Sequence, residues 1–174
     1  MNNYFLIYDD CCFYEIVLLG YFLRYSSSGE QPMFYCSKGG RDINTAEGFT
    51  VKADIAVEDI APEEVRALII PGGPINNVMG TETASLLTAA ADHGAVIGAI
   101  CGGVELLEKC GILEGRSSVH TTESDVTTDG KIVTALPNAY VDFAVEVGKL
   151  LDVFVDEADI EETLDFFKFH KKVN

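Results

Sequence analysis

The chain has 174 residues, of which 48% are apolar and 23% charged, a composition typical of a globular domain rather than a disordered segment. Its 28 acidic residues outnumber 12 Lys and Arg side chains, and the formal charge of −16 disfavours nucleic acid as a partner. The longest nearly pure apolar stretch, 16–23, is too short to span a bilayer, and the N-terminus lacks the basic region of a secretion signal. We therefore expect one domain over residues 1–174, cytoplasmic, with no membrane or nucleic-acid partner.

Apolar patterns along the chain predict strands that alternate with helices. The first half is predicted to hold strand 4–8, helix 15–25, strand 33–37 and a turn-rich stretch with a small hairpin near 49–51. The second half is predicted to hold strand 67–70, helix 81–92, strand 95–100, helix 104–111, strand 131–134 and helices 139–151 and 157–169. This alternation is typical of a mostly parallel sheet, here of six or seven strands, with helices on both faces.

The first predicted helix is apolar almost all the way round. Ile16, Leu19 and Leu23 share one side, while Val17 and Tyr21 lie on other sides. A single sheet covers only one side of a helix, so the remaining apolar surface needs a second partner. We expect a homodimer formed through this helix.

Two turns lie at the carboxyl ends of predicted strands. Pro71-Gly72-Gly73 follows strand 67–70, and Cys101-Gly102 follows strand 95–100 with no room for a longer loop. Binding sites in parallel sheets form beyond the carboxyl ends of the strands. We therefore expect the two turns to face each other across a crevice.

The Cys101 turn predicts an elbow between a strand and a helix, which lifts one side chain out of the sheet at a helix N-terminus. The helix dipole and the free N–H groups there favour a thiolate, which predicts a lowered cysteine pKa. The N–H groups of Gly73 and Gly102 would form an oxyanion hole for a tetrahedral intermediate. The alternative is that Cys101 is a small buried core residue, the commonest environment of a free cysteine.

Four segments occur in a characteristic order: "YFLIYDDCCFYEIVLLGYFL", "ALIIPGGP", "AVIGAICGGVELLEKCGILEGRSSVHT" and "DGKIVTALPNAYVDFAVEVGKLL". In the order and spacing of these segments, the chain resembles the ThiJ/PfpI superfamily over nearly its whole length. The resemblance implies a single-domain, flavodoxin-like fold related to class I glutamine amidotransferases. It also implies that Cys101 is the reactive residue and that Glu15 lies against it. A protonated Glu15 would donate a hydrogen bond to the thiolate and stabilise it.

The chain departs from relatives of this kind in two places. The peptidase-like branch has a His directly after the cysteine, where this chain has Gly102, so that Cys-His dyad is absent. Other members place a His near the thiol at the position of His120, which is therefore the candidate imidazole; alternatively it is a half-buried His at a strand end. An Arg-Gly-Pro-Gly motif found in some relatives is replaced here by the stretch "TALPNAY".

The resemblance leaves three functions open. In the first, Cys101 is a nucleophile toward a small carbonyl or amide-like substrate, with glyoxalase, deglycase, amidase or isonitrile-hydrating chemistry, and with Glu15 or His120 moving protons. In the second, oxidation of Cys101 signals stress. The third, a class I glutamine amidotransferase, is disfavoured by the spacing of the acid that follows His120. Cys11 and Cys12 would either act as resolving thiols or merely line the crevice, and we expect no metal or other cofactor.

Overall fold

A computed structural model describes residues 1–172 of the chain. Within this range the strands are β1 (Asn2–Leu6), β2 (Met33–Ser37), β3 (Ile43–Asn44), β4 (Thr50–Val51), β5 (Ile55–Ala56), β6 (Val65–Ile70), β7 (Val96–Ile100), β8 (Val126–Asp129) and β9 (Ile132–Ala135). Seven of them form one sheet in the order β5-β2-β1-β6-β7-β9-β8, and β3 pairs with β4 in a separate hairpin. All neighbours in the large sheet are parallel except β8 and β9. The predicted mostly parallel α/β sheet is confirmed.

Helices connect the strands and pack over the sheet. They are α1 (Tyr14–Arg24), α2 (Thr81–Asp92), α3 (Gly102–Lys109), α4 (Tyr140–Leu150) and α5 (Glu157–Phe167). Helix α4 packs against α1 and α5 and lies over β7 and β9, while α2 lies over β6 and α3 over β7. None of the helices described in residues 1–172 is long and apolar enough to cross a membrane.

The central strands are buried, and a glycine brings a helix close to β7. Every residue of β7 is buried, as are five of the six residues of β6. A Cβ atom at Gly98 would lie 3.0 Å from Phe143 Cζ and 3.1 Å from Val147 Cγ2, both on α4. A glycine in mid-strand marks a close approach of this kind. The packing fixes α4 above the strand that leads to Cys101.

Two strands of the large sheet were not predicted. Strand β5 has two residues, and β8 is a four-residue antiparallel strand rich in Thr and Asp at the opposite edge. Edge strands have one unpaired side and need less apolar character, so they leave a weak apolar pattern. The small hairpin near residue 50 exists, with Ile43 opposite Val51.

Candidate active site

The backbone turns sharply at Cys101. Strand β7 ends at Ile100, α3 begins at Gly102, and Cys101 between them has φ 56° and ψ −126°. Such a conformation is uncommon outside glycine and persists only where the surroundings impose it. The Cys101 N–H donates to the carbonyl of Ala135 at 2.9 Å. At Gly103 a Cβ atom would lie 2.6 Å from the Ile70 carbonyl oxygen, so α3 starts directly against the end of β6.

The thiol of Cys101 and the carboxyl of Glu15 meet beside Gly72. A Cβ atom built on Gly72 would lie 2.7 Å from Cys101 Sγ and 2.8 Å from Glu15 Oε2, so no larger residue fits there without displacing one of them. The Gly72 N–H donates to Glu15 Oε2 at 2.6 Å. Glu15 is fully buried. The structure thus brings together the two residues that the family resemblance singled out.

Both acidic groups of this pair hold their protons more tightly than usual. Burial raises the pKa of Glu15, although the Gly72 N–H and the thiol act in the opposite sense. Burial, followed by the charge of the Glu15 carboxylate, raises the pKa of Cys101 to about 11, against the lowering effect of the Gly102 N–H. The lowered pKa of Cys101 that the sequence predicted is therefore wrong. One N–H at a helix start does not outweigh burial beside a carboxylate.

The location of the proton on Glu15 decides how easily the Cys101 thiolate forms. An ionised Glu15 repels the thiolate, which is one of the causes of the raised pKa of Cys101. A protonated Glu15, which its own raised pKa favours, exerts no such repulsion and can donate its O–H to the sulfur. The pair can therefore carry one negative charge as a thiolate when the carboxyl keeps its proton.

The two glycines predicted for an oxyanion hole lie in contact. A Cβ atom at Gly102 would lie 2.7 Å from the Gly73 carbonyl oxygen and 3.2 Å from the Gly73 nitrogen. The Gly102 N–H faces the sulfur of Cys101 and lowers its pKa. Gly73 has φ 132°, which favours glycine, and a Cβ atom there would also strike Cys11 Cα at 2.8 Å. The Gly102 N–H is thus beside the thiol and Gly73 is next to Gly102, and the role of both N–H groups toward an oxyanion stays a prediction.

Sequence reasoning missed two tyrosines at the site. The buried Tyr8 hydroxyl donates to the carbonyl of Pro71 at 2.9 Å and so holds the Pro-Gly-Gly turn. The half-exposed Tyr14 points its hydroxyl at Glu15 Oε1, at 3.5 Å, and its ring meets Tyr140 edge-on with centroids 5.9 Å apart. Tyr8 follows β1 and Tyr14 begins α1, so both belong to the connection beyond the carboxyl end of β1, where sites form in parallel sheets. That location was the signal available in the sequence.

The remaining cysteines differ in how deeply their side chains are buried. Cys11 and Cys36 are buried, and burial raises the pKa of Cys11 to about 11. Cys12 is half-buried, and its N–H donates to the Gly72 carbonyl at 2.9 Å, which places it beside the site. Cys110 is also half-buried, at the C-terminal end of α3. All of them are free thiols. Within residues 1–172, no group of three His, Cys, Asp or Glu side chains could hold a metal ion.

A comparison with protein-family models finds one match, which covers residues 3–150. The model is that of the DJ-1/PfpI family. The chain belongs to the DJ-1/PfpI family. The family resemblance seen in the sequence, under its alternative name ThiJ/PfpI, is confirmed.

Curated relatives in the DJ-1/PfpI family carry enzyme names. A glutathione-independent glyoxalase of Caenorhabditis elegans is 30% identical over 104 residues, which cover 59% of this chain and 56% of that protein. A deglycase of Thermococcus kodakarensis is 29% identical over 92 residues, covering 51% of this chain and 55% of that protein. The chain thus spans about half the length of these relatives.

Solved structures of the DJ-1/PfpI family share the fold. A thiJ/pfpI family protein of Bacillus anthracis superposes with a TM-score of 0.86 at 22% identity, over 98% of this chain and 91% of that one. The DJ-1 superfamily protein of Agrobacterium tumefaciens gives a TM-score of 0.81 at 23% identity, over 98% and 100%. The flavodoxin-like fold predicted from the sequence is therefore confirmed.

His120, the imidazole that the DJ-1/PfpI resemblance suggested as a partner of Cys101, hydrogen-bonds to a carboxyl group on α3. Its Nδ1 atom is 2.8 Å from Glu108 Oε1, and its side chain is 37% exposed. Glu108 lies six residues after Gly102, about 9 Å along the helix axis from the start of α3. Among the hydrogen bonds of residues 1–172, the only one made by the His120 ring goes to Glu108. A contact between His120 and the thiol stays a prediction.

Proposed function

We propose that the protein is an enzyme in which Cys101 attacks the aldehyde carbon of a small 2-oxoaldehyde, or of its adduct with an amine. The supporting observation is the meeting of the Cys101 thiol, the Glu15 carboxyl and the Gly72 N–H at one point. A nucleophile, a buried acid that can hold a proton and adjacent backbone donors are the groups that carbonyl addition needs. The glyoxalase and deglycase names of the relatives agree with this chemistry.

The proposed reaction begins when the thiolate forms a C–S bond to the aldehyde carbon and the π electrons move to oxygen. We assign the N–H groups of Gly73 and Gly102 as donors to that oxygen. Protonated Glu15 gives its proton to the alkoxide, and the carboxylate so formed takes the C–H proton and delivers it to the neighbouring carbonyl carbon by way of an enediolate. The hydroxyl proton of the first carbon moves to the oxygen of the second carbon, which leaves a thioester. Water cleaves the thioester, so a 2-hydroxy acid departs and the thiol is restored.

The test is conversion of methylglyoxal and phenylglyoxal without glutathione, followed as loss of oxoaldehyde and gain of hydroxy acid. Cys101→Ser should reduce the rate to background, because serine offers almost no anion near pH 7. Cys110→Ser is the matched control, since that thiol is also half-buried but lies at the far end of α3. Turnover that survives in Cys101→Ser, or a wild type that hydrolyses amides and leaves oxoaldehydes intact, would overturn the proposal.

Oxidant sensing is a second candidate function, favoured by the position of Cys12. The Cys12 N–H donates to the Gly72 carbonyl at 2.9 Å, and Gly72 also contacts the Cys101 thiol, so both cysteines lie next to the same glycine. A peroxide would convert Cys101 to a sulfenic acid and leave as the alcohol or water; attack by the Cys12 thiol would then give a disulfide and water. A protein with this function responds to peroxide but turns over no oxoaldehyde.

A glutamine amidotransferase receives less support. Its nucleophilic cysteine needs an imidazole base within hydrogen-bond reach, and among the hydrogen bonds of residues 1–172 the ring of His120 bonds to Glu108 and not to Cys101. We propose that the site binds a small-molecule substrate, and we assign no part of the mechanism to His120.

We also propose that the protein forms a homodimer through α1. Val17 and Tyr21 on this helix are 48% and 50% exposed, although large apolar side chains prefer burial. With Tyr14, Tyr140 and Phe167 they line an open apolar cavity of about 490 Å³ between α1, α4 and α5. A second copy of α1 would cover this surface and enclose the approach to Glu15.

A further inference from the structure

The start of α1 carries Glu15 but has no capping residue of its own. The residue before the helix is Phe13, and its side chain makes no capping hydrogen bond. The first N–H groups of a helix need acceptors from outside the helix. Here the acceptor comes from the turn of the β3–β4 hairpin: the Tyr14 N–H donates to Glu47 Oε1 at 2.8 Å.

The same hairpin is tied to the segment that leads into α1. The Asp10 N–H donates to the Asn44 carbonyl at 2.7 Å, and the Ala46 N–H donates to the Cys11 carbonyl at 3.0 Å. Cys11 also packs closely against Gly73: a Cβ atom built on Gly73 would lie 2.8 Å from Cys11 Cα. A chain of backbone contacts therefore runs from the hairpin to both halves of the site.

Glu47 is the anion at this helix start. Burial alone would raise the pKa of Glu47, but hydrogen bonds, chiefly from the Tyr14 N–H and also from its own N–H and the Thr45 side chain, hold that pKa below its ordinary value. The negative charge lies at the positive end of the α1 dipole, where an anion is stabilised. Glu47 is thus a fixed negative charge at the start of the helix that carries Glu15.

Glu15 is surrounded by titratable groups, of which the Cys101 thiol and the Tyr14 hydroxyl favour its negative charge and the charge of Glu47 disfavours it. The titratable groups that face it come from five elements: Tyr8 after β1, Cys12 before α1, Tyr14 on α1, Cys101 before α3 and Glu47 on the hairpin. Of these, Glu47 alone is held in its charged form by backbone donors. A neighbouring fixed anion makes ionisation of Glu15 less favourable.

We propose that Glu47 is a positioning residue of the site: it anchors the start of α1 and keeps Glu15 in the protonated form that donates to the Cys101 thiolate. The pKa values of the two carboxyl groups thus move in opposite directions: burial raises that of Glu15, and hydrogen bonds lower that of Glu47. Glu47 matters to turnover only if the thiol chemistry proposed above is correct. Its effect on the thiol itself is independent of any substrate.

The test is the pH profile of Cys101 alkylation by iodoacetamide, read from the Cys101 peptide by mass spectrometry. Glu47→Gln keeps an oxygen acceptor for the Tyr14 N–H but removes the charge. Glu15 should then ionise at lower pH and repel the thiolate, so alkylation at pH 7 should slow by about two- to fivefold. The difference should shrink in 1 M salt because Glu47 is exposed.

Two further variants separate charge from structure. Glu58→Gln is the matched control, since Glu58 also accepts a backbone N–H, from Gly39 at 2.9 Å, but lies outside the site; its profile should match wild type. In Glu15→Gln no proton can be lost at position 15, so adding Glu47→Gln should have no further effect. The proposal would be overturned if Glu47→Gln left the pH profile of Cys101 alkylation unchanged. It would also be overturned if Glu47→Gln slowed alkylation equally in the wild-type and Glu15→Gln proteins. Absence of oxoaldehyde turnover would leave this result untouched and refute only the proposed function.

Discussion

Gly72→Ala tests whether the contact between Cys101 and Glu15 drives the chemistry. The new methyl carbon would lie 2.6 Å from Cys101 Cβ, 2.7 Å from Cys101 Sγ and 2.8 Å from Glu15 Oε2. Ordinary contacts between such atoms are about 3.5–4.0 Å, so the thiol, the carboxyl or the turn must move by about 1 Å. A shift of that size at a reacting group costs about 10²-fold in rate.

The assays are kcat/KM for an oxoaldehyde, the alkylation rate of Cys101 and the thermal midpoint. We expect kcat/KM of Gly72→Ala to fall by about 10²-fold, and overpacking to cost about 1–3 kcal/mol of stability. Gly20→Ala on α1 is the control, because the atom nearest to its methyl would be Sδ of the flexible Met33, at 3.3 Å. A Gly72→Ala protein with wild-type kcat/KM and wild-type alkylation would show that the close contact has no chemical role.

Three further predictions concern the thiol and the helix beside it. Alkylation of Cys101 should rise with pH; near pH 7 it should be slower in Glu15→Leu, which loses the donor to the thiolate, than in Glu15→Gln, which keeps an N–H donor, and identical profiles would remove Glu15 from the site. Under excess peroxide, at least about two equivalents per thiol because each added oxygen consumes one peroxide, intact-mass and peptide analysis should show a Cys12–Cys101 disulfide in wild type and a sulfinate on Cys101 in Cys12→Ser; a sulfinate in both would rule out the resolving role. Light scattering should give a dimer for wild type and a monomer for Tyr21→Glu, while a wild-type monomer at micromolar concentration would contradict the α1 interface.

The sequence predicted the buried elements well and the edges of the sheet poorly. Helix α2 was predicted with its observed bounds, 81–92, because its apolar spacing is regular and a glycine follows it at position 94. Strand β7 differs by one residue from the prediction. Strand β8, by contrast, consists of Val, Thr and Asp and takes its place by pairing with β9, which no local pattern encodes.

At the site, the sequence predicted which turns come together but not their electrostatics. Cys101 and the Gly72-Gly73 turn were placed by their positions after two strands, whereas Glu15 was found only through the family resemblance. The direction of the Cys101 pKa was wrong because burial depends on the whole fold, and a helix start is visible in the sequence while burial is not. The contact of His120 with Glu108 depends on the loop between α3 and β8, which carries no regular pattern.

The backbone contacts around Gly72, Gly102 and Gly103 have a consequence for how such a protein changes during evolution. At each of these positions an added methyl would come within 2.7 Å of another part of the site or the sheet, so these three glycines next to the thiol tolerate almost no substitution. Side chains such as Tyr14 and Tyr140, by contrast, are partly exposed and can be replaced without strain in the backbone. Substitutions at these tyrosines can therefore change the surface near Glu15 while the sulfur of Cys101 keeps its position.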